Sequence, residues 1–183
     1  MRPLYLYIIS LLLTLGCTEY TPKPRGYFRI EPLQAKYEVY EASGMPCAFW
    51  VSNQAKVEET RGGLQIAYPA LQATLYCTYI PTRVDKLADD IRESRSLVAR
   101  QAERAEKISE RAYENPEAGV YGLLFLIEGE TAAPVQFALT DSVGRFFRGA
   151  LYYGCEINPD SLQPVTDYLR KDVEAMIESF RWK

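Results

Sequence analysis

The sequence predicts an α+β fold: a single antiparallel sheet with a long central helix and a C-terminal helix packed on it. Three observations lead there. Short runs rich in aromatic and β-branched residues alternate polar and apolar side chains, and turn-forming residues separate them. One long charged stretch lacks Gly and Pro and repeats its apolar residues every three or four positions. The last twenty or so residues carry the same spacing more strongly. Strands joined by short turns pair antiparallel, and amphipathic helices need a sheet to cover.

The chain has 183 residues. Met1–Gly16 reads as a lipoprotein signal peptide, with Arg2 as its charged start and Leu4–Leu15 as its apolar run. About twelve residues at about 1.5 Å each cover roughly 18 Å, short of a bilayer core of about 30 Å. Gly16 before Cys17 resembles a lipobox, with Thr14 where Leu is usual, and makes Cys17 the expected lipidation site. Several acyl chains on one cysteine make a stable anchor. The expected location is the cell envelope, at the periplasmic face of the outer membrane, because Thr18 replaces the Asp of the usual inner-membrane retention signal. Residues 17–26, the lipidated cysteine and the polar TEYTPKPRG segment, read as a flexible tether spanning up to roughly 25–30 Å. Residues 27–183 then form one globular domain.

Within that domain Tyr27–Ile30, Tyr37–Tyr40 and Ala48–Ser52 read as short strands. Gly62-Gly63 is a turn before a strand at Leu64–Tyr68. Leu71–Ile80 is a half-buried strand: Leu71, Ala73, Leu75, Cys77 and Tyr79 share one face, and Gln72, Thr74, Tyr76 and Thr78 the other. From Asp85 to about Tyr113 the spacing of Leu87, Ile91, Val98, Ala102, Ala105, Ile108 and Ala112 predicts one long surface helix, helped by a Glu103–Lys107 pair. Asn115-Pro116 stops it. Strands follow at Val120–Glu128, Val135–Thr140 and Phe146–Glu156, with turns at Gly129–Pro134 and Asp141–Gly144. Asn158 caps a final helix with Pro159 at its first position. Its core stripe is Leu162, Val165, Leu169, Val173, Met176, Ile177 and Phe180. The layout resembles the Mog1/PsbP-like fold, which implies no chemistry.

The chain contains no histidine, which removes Ser-His-Asp and Cys-His catalysis and histidine metal ligation. Beyond the signal peptide it has 20 Lys+Arg against 24 Asp+Glu, and so no global attraction to nucleic acid. Cys47, Cys77 and Cys155 are candidates for one disulfide in an oxidising compartment, with three pairings open. No C-x-x-C spacing suggests zinc, and no Walker loop, dinucleotide fingerprint or calcium loop suggests a cofactor. Glu58-Glu59, Asp89-Asp90 and the Glu128/Glu130 pair are the carboxylate pairs. Only Glu128 and Glu130 share a strand face, the arrangement that acid–base hydrolysis would need. Of fourteen tyrosines, Tyr76, Tyr79, Tyr121, Tyr152 and Tyr153 lie in strands and suit an interface or a ligand surface.

Specific strings carry a family resemblance. Lys23-Pro24-Arg25-Gly26-Tyr27-Phe28-Arg29-Ile30 beyond the cysteine resembles the opening of the GldD family of gliding-motility lipoproteins. Cys47 with Phe49, Ala55-Lys56-Val57, Tyr68-Pro69, Ala73-Thr74-Leu75-Tyr76 and Thr78-Tyr79 continue it. So do Val120-Tyr121-Gly122, Ala132-Ala133-Pro134-Val135-Gln136-Phe137, Thr140-Asp141-Ser142 and Gly149-Ala150-Leu151-Tyr152. Asn158-Pro159-Asp160-Ser161-Leu162, Pro164-Val165, Asp167-Tyr168-Leu169 and Trp182-Lys183 complete it. The resemblance implies a lipid-anchored, non-enzymatic envelope component of the gliding and type IX secretion machinery, with other envelope proteins as partners. It supplies no catalytic residue. The alternative expectation is a periplasmic module binding glycan or peptide through the strand tyrosines.

Overall fold

The computed structural model describes residues 35–155 and 159–183. The signal peptide, Cys17, the tether, the Tyr27–Ile30 strand and the Asn158 cap lie outside the described residues.

The strands do not form one sheet, as expected, but two. A seven-stranded antiparallel sheet has the order β3-β4-β5-β9-β8-β7-β6. Its strands are β3 (Lys56–Thr60), β4 (Gly63–Tyr68), β5 (Ala73–Pro81), β6 (Ala105–Asn115), β7 (Val120–Gly129), β8 (Val135–Thr140) and β9 (Arg145–Tyr153). A three-stranded sheet, order β1-β2-β10, joins β1 (Tyr37–Glu41), β2 (Cys47–Ser52) and β10 (Arg181–Trp182). The second sheet escapes a periodicity reading because it closes on two residues at the far end of the chain. Arg181 and Trp182 pair with Ala48 and Cys47.

The seven-stranded sheet is two meanders joined along one seam. β3–β5 is a hairpin series, with Thr60 opposite Gly63 across a two-residue turn. β6–β9 is a second series, and β9 pairs with β5 from Tyr153 opposite Ala73 to Arg145 opposite Pro81. Helix α1 (Val84–Gln101) carries the chain from β5 at the seam to β6 at the sheet edge. Helix α2 (Pro159–Ser179) follows β9. All seven residues of its expected apolar stripe are buried.

The expected helix to Tyr113 is a correction. It ends at Gln101, and Ala105–Asn115 is the edge strand β6. The stop is not local: the Thr131 hydroxyl, thirty residues on, donates to the Gln101 carbonyl at 3.1 Å. Charges that suit a helix surface suit an edge strand equally well, where they discourage pairing with other chains. The expected Glu103–Lys107 pair is replaced by a cross-strand pair, Lys107 to Glu128 at 3.1 Å. A bulge at Glu106 lets the strand begin. Gly129 opposite it has φ +98°, and a Cβ there would sit 2.7 Å from the Glu106 nitrogen. The last expected strand is also shorter, ending at Tyr153 rather than Glu156.

The core lies between one face of the large sheet and the layer made by α2 with the small sheet. Leu64, Ile66, Leu75, Phe137, Leu139, Phe147 and Leu151 meet Leu169, Val173, Met176 and Phe180 there, with Cys47 and Phe49 of β2. Phe180 is its hub: its ring stacks on Phe49 at 5.9 Å and lies 5.2 Å from Phe147 and 4.8 Å from Trp182. Among the described residues the opposite face is covered by α1 alone. There Val98 and Ala102 bury against Phe125 and Ile127.

Candidate groove beneath helix α1

Strand alternation sends Tyr76 and Thr78 of β5, Gln136 of β8, and Arg148, Ala150 and Tyr152 of β9 to the α1 face. They meet where the two meanders join. With Ser94, Leu97 and Gln101 of α1 they line a cavity of about 200 Å3. Tyr76 is 46% exposed, and its ring meets Tyr152 edge-on at 5.8 Å. The Tyr152 hydroxyl in turn accepts a hydrogen bond from Gln101 Nε2.

The polar groups of this cavity are only partly engaged. Gln101 Oε1 is buried and has no hydrogen-bond partner among the described residues. Gln136, 5% exposed, donates through Nε2 to the Ala133 carbonyl. Ser94 is 6% exposed and lines both this cavity and an adjoining one. Among the described residues no carboxylate pairs with Arg148. The adjoining cavity, about 230 Å3, is mostly apolar, with Leu87, Ile91, Leu123, Phe125 and Phe146 in its wall. On the other side Tyr76 and Tyr152 also border a shallower hollow of about 350 Å3 reaching Tyr68 and Gln72. The three are neighbours that share lining residues, Ser94 between the first and second and Tyr76 and Tyr152 between the first and third, and together they are called the groove.

The structure sorts the five strand tyrosines. Tyr76, Tyr121 and Tyr152 line the groove. Tyr79 and Tyr153 face the core side, Tyr79 against Trp182 and Tyr153 bonded to Thr166 at 2.6 Å. Arg148, Ser94, Gln101 and Gln136 were not singled out by sequence. The available signal was a polar residue set among apolar neighbours in β8 and β9.

The carboxylate pairs are divided among separate partners. Glu128 takes Lys107, and Glu130 takes Arg104 at 3.0 Å. Glu59 accepts from the Tyr40 hydroxyl and from the Ser43 and Gly44 amides, which hold its pKa below the usual range and tie β3 to the β1–β2 turn. Asp89 takes Arg92, and Asp90 accepts from the Thr82 hydroxyl. Among the described residues no three His, Cys, Asp or Glu side chains are grouped to hold a metal. Cys47, Cys77 and Cys155 are free thiols in the structure. Burial pushes Cys47 up to about 11 and Cys77 higher, so both are poor nucleophiles.

One buried charge was not foreseen. Asp172 of α2, 4% exposed, accepts from the Tyr37 hydroxyl at 2.7 Å. Among the described residues its Oδ2 makes no well-directed hydrogen bond, although the Ser52 and Tyr68 hydroxyls lie near enough to favour its charged form. Desolvation outweighs them and raises its pKa. Among the described residues, no helix is long and apolar enough to cross a membrane.

Comparison with known proteins places this geometry. The family model described as "Gliding motility lipoprotein GldD" matches residues 17–182, and the chain belongs to that family of envelope lipoproteins. No curated protein matches it. Among solved structures it is similar to the solution structure of cyanobacterial PsbP (CyanoP) from Synechocystis sp. PCC 6803. The TM-score is 0.50 at 11% identity, covering 88% of this chain and 100% of that one. That likeness supports the PsbP-like fold alone.

Proposed function

We propose that this member of the GldD family is anchored by a lipidated Cys17 at the periplasmic face of the outer membrane and works there as a non-enzymatic interaction module of the gliding and type IX secretion machinery. The observation that carries the reading is the family match, which begins on Cys17 and runs to Trp182. The start coincides with the residue that signal-peptide cleavage would expose. The tether between Cys17 and residue 26 gives the domain a reach of up to roughly 25–30 Å from the membrane. The acidic pairs are split, with Glu128 on Lys107, Glu130 on Arg104, Asp89 on Arg92 and Asp90 on the Thr82 hydroxyl, which supports an interaction role over hydrolysis.

A second reading, binding of a periplasmic peptide or glycan, is favoured by the groove, where Tyr76 and Tyr152 flank a concave seat.

The test of the first reading is a chromosomal Cys17→Ser exchange. The expected result is an unlipidated chain lost from the membrane fraction, together with loss of surface spreading and of secreted protein. Unchanged membrane attachment would overturn the anchor. Normal spreading and secretion from a detached chain would overturn the role.

A further inference from the structure

We infer that the groove beneath α1 binds the C-terminal residue of a peptide, with its carboxylate on Arg148 and its apolar side chain in the adjoining cavity. This names the ligand of the interaction module and rests on that reading.

Three features define the seat. Arg148 is a guanidinium in a half-enclosed cavity with no carboxylate partner among the described residues. A guanidinium takes a carboxylate through two parallel hydrogen bonds, and partial enclosure strengthens them. Gln101 Oε1 is an acceptor buried without a donor among the described residues, which is costly unless something supplies an N–H. Its own amide nitrogen is already committed to Tyr152, so the oxygen faces any incoming group as an acceptor only. Ser94, more than nine-tenths buried, is the residue common to the linings of the two cavities and brings a hydroxyl to them.

A C-terminal residue carries the matching set: a carboxylate, the amide N–H of the same residue, and a side chain. The apolar wall of Leu87, Ile91, Leu123, Phe125 and Phe146 selects an aliphatic or aromatic side chain. An acidic sugar offers the carboxylate but leaves that wall facing water. Inorganic phosphate offers charge but no N–H for Gln101. The volume agrees, since about 200 Å3 beside about 230 Å3 lies at the small end of ligand sites, which span about 300–1,000 Å3. The peptide upstream would leave over the exposed ring of Tyr76 and the half-buried ring of Tyr152, which offer flat apolar area with polar tips.

The experiment uses the full chain in detergent micelles. The probes are acetylated tetrapeptides Ac-Gly-Ser-Gly-X ending in Leu, Phe, Ala or Lys, each as free acid and as amide. Galacturonic acid and inorganic phosphate serve as the non-peptide anions. Binding is read by calorimetric titration and by the shift in melting temperature. The Leu and Phe acids should bind, the Ala and Lys acids at least tenfold more weakly, and every amide at least tenfold more weakly than its acid. Arg148→Gln should remove the preference for acid over amide without lowering the melting temperature. Should that variant misfold, the acid–amide comparison on the unaltered chain decides by itself. Equal binding of acid and amide, no binding by any peptide at millimolar concentration, or binding of galacturonic acid or phosphate as tight as the Phe acid would each overturn the inference. If the peptides fail while Cys17→Ser still abolishes spreading, the anchored module stands and only the ligand assignment falls.

Discussion

The two faces of the seven-stranded sheet are built to different ends. One meets α2 and the small sheet through rings and branched side chains with almost nothing exposed. The other meets α1 through a small apolar cluster, Val98, Ala102, Phe125 and Ile127, with Ala138 and Phe146 also buried on that face, and leaves much of its remaining area to polar side chains and hollows. Fully burying one large apolar side chain contributes about 1.5–3 kcal/mol. The α2 face therefore holds the fold, and the α1 face is free to spend area on recognition. The contrast also follows from topology. α1 must cross from the seam to the edge strand, so it lies over the sheet as a strap, whereas α2 lies wholly on a face it can fill.

The strongest test of that contrast is Phe180→Ala. Phe180 touches Phe49, Phe147 and Trp182 and sits where α2 hands over to β10. Its loss should cost about 3–5 kcal/mol in urea unfolding. A loss under about 1 kcal/mol would mean that the two faces share the load. Gly149→Ala tests the same face by crowding instead of emptying. A Cβ there would lie 2.3 Å from Phe137 Cε1 and 3.2 Å from the Cys77 sulfur. A rigid core should lose about 1–3 kcal/mol in the same measurement.

Asp172 sharpens the comparison through pH. Its folded-state pKa is raised by burial, so the folded protein holds this proton more tightly than the unfolded chain. Stability should therefore fall as pH rises from the ordinary aspartate value, about 4, through the raised one. The full loss is about 1.4 kcal/mol for each unit of difference. Glu59 and Asp141 have lowered values, so their contributions disappear only as pH falls below the ordinary carboxylate range. A fall in stability with rising pH above pH 4 thus belongs to Asp172 among these three, since the contributions of Glu59 and Asp141 can only rise with pH. Asp172→Asn keeps the acceptor for Tyr37 and should flatten the curve there, with a gain at neutral pH. A variant curve parallel to the parent's across that window would refute the assignment.

Legibility in the sequence followed the same division. The core face was readable because burial imposes a period. Alternation picked out β5, and 3/4 spacing picked out every buried residue of the α2 stripe. The α1 face was not. Its helix stops at a hydrogen bond from Thr131, and nothing near Gln101 marks that end. Ala105, Ile108 and Ala112 continued the helical stripe by coincidence, although they lie in β6. The small sheet depends on Arg181 and Trp182, two residues with no period at all. Tyr76 and Tyr152 were visible as strand aromatics. Arg148 and Gln101 gain their meaning only when the β5–β9 seam places Arg148 in the cavity that Gln101 of α1 also lines, and that pairing skips over about seventy residues of chain.

The smallest effect separates the two faces most cleanly, because its sign matters more than its size. Ser94 is buried mid-helix, where a hydroxyl serving the fold would donate or accept a hydrogen bond, and deleting that bond would cost about 0.5–1.5 kcal/mol. Ala is also the better helix former, by up to about 0.5 kcal/mol. If the hydroxyl serves the groove, Ser94→Ala should leave stability unchanged or raise it by about 0.5 kcal/mol while weakening the Phe-ended acid peptide several-fold. If it serves the fold, stability should drop and the affinity of the folded protein should hold. Urea unfolding and calorimetric titration of one variant distinguish these outcomes, since a structural and a recognition hydroxyl move the two measurements in opposite directions.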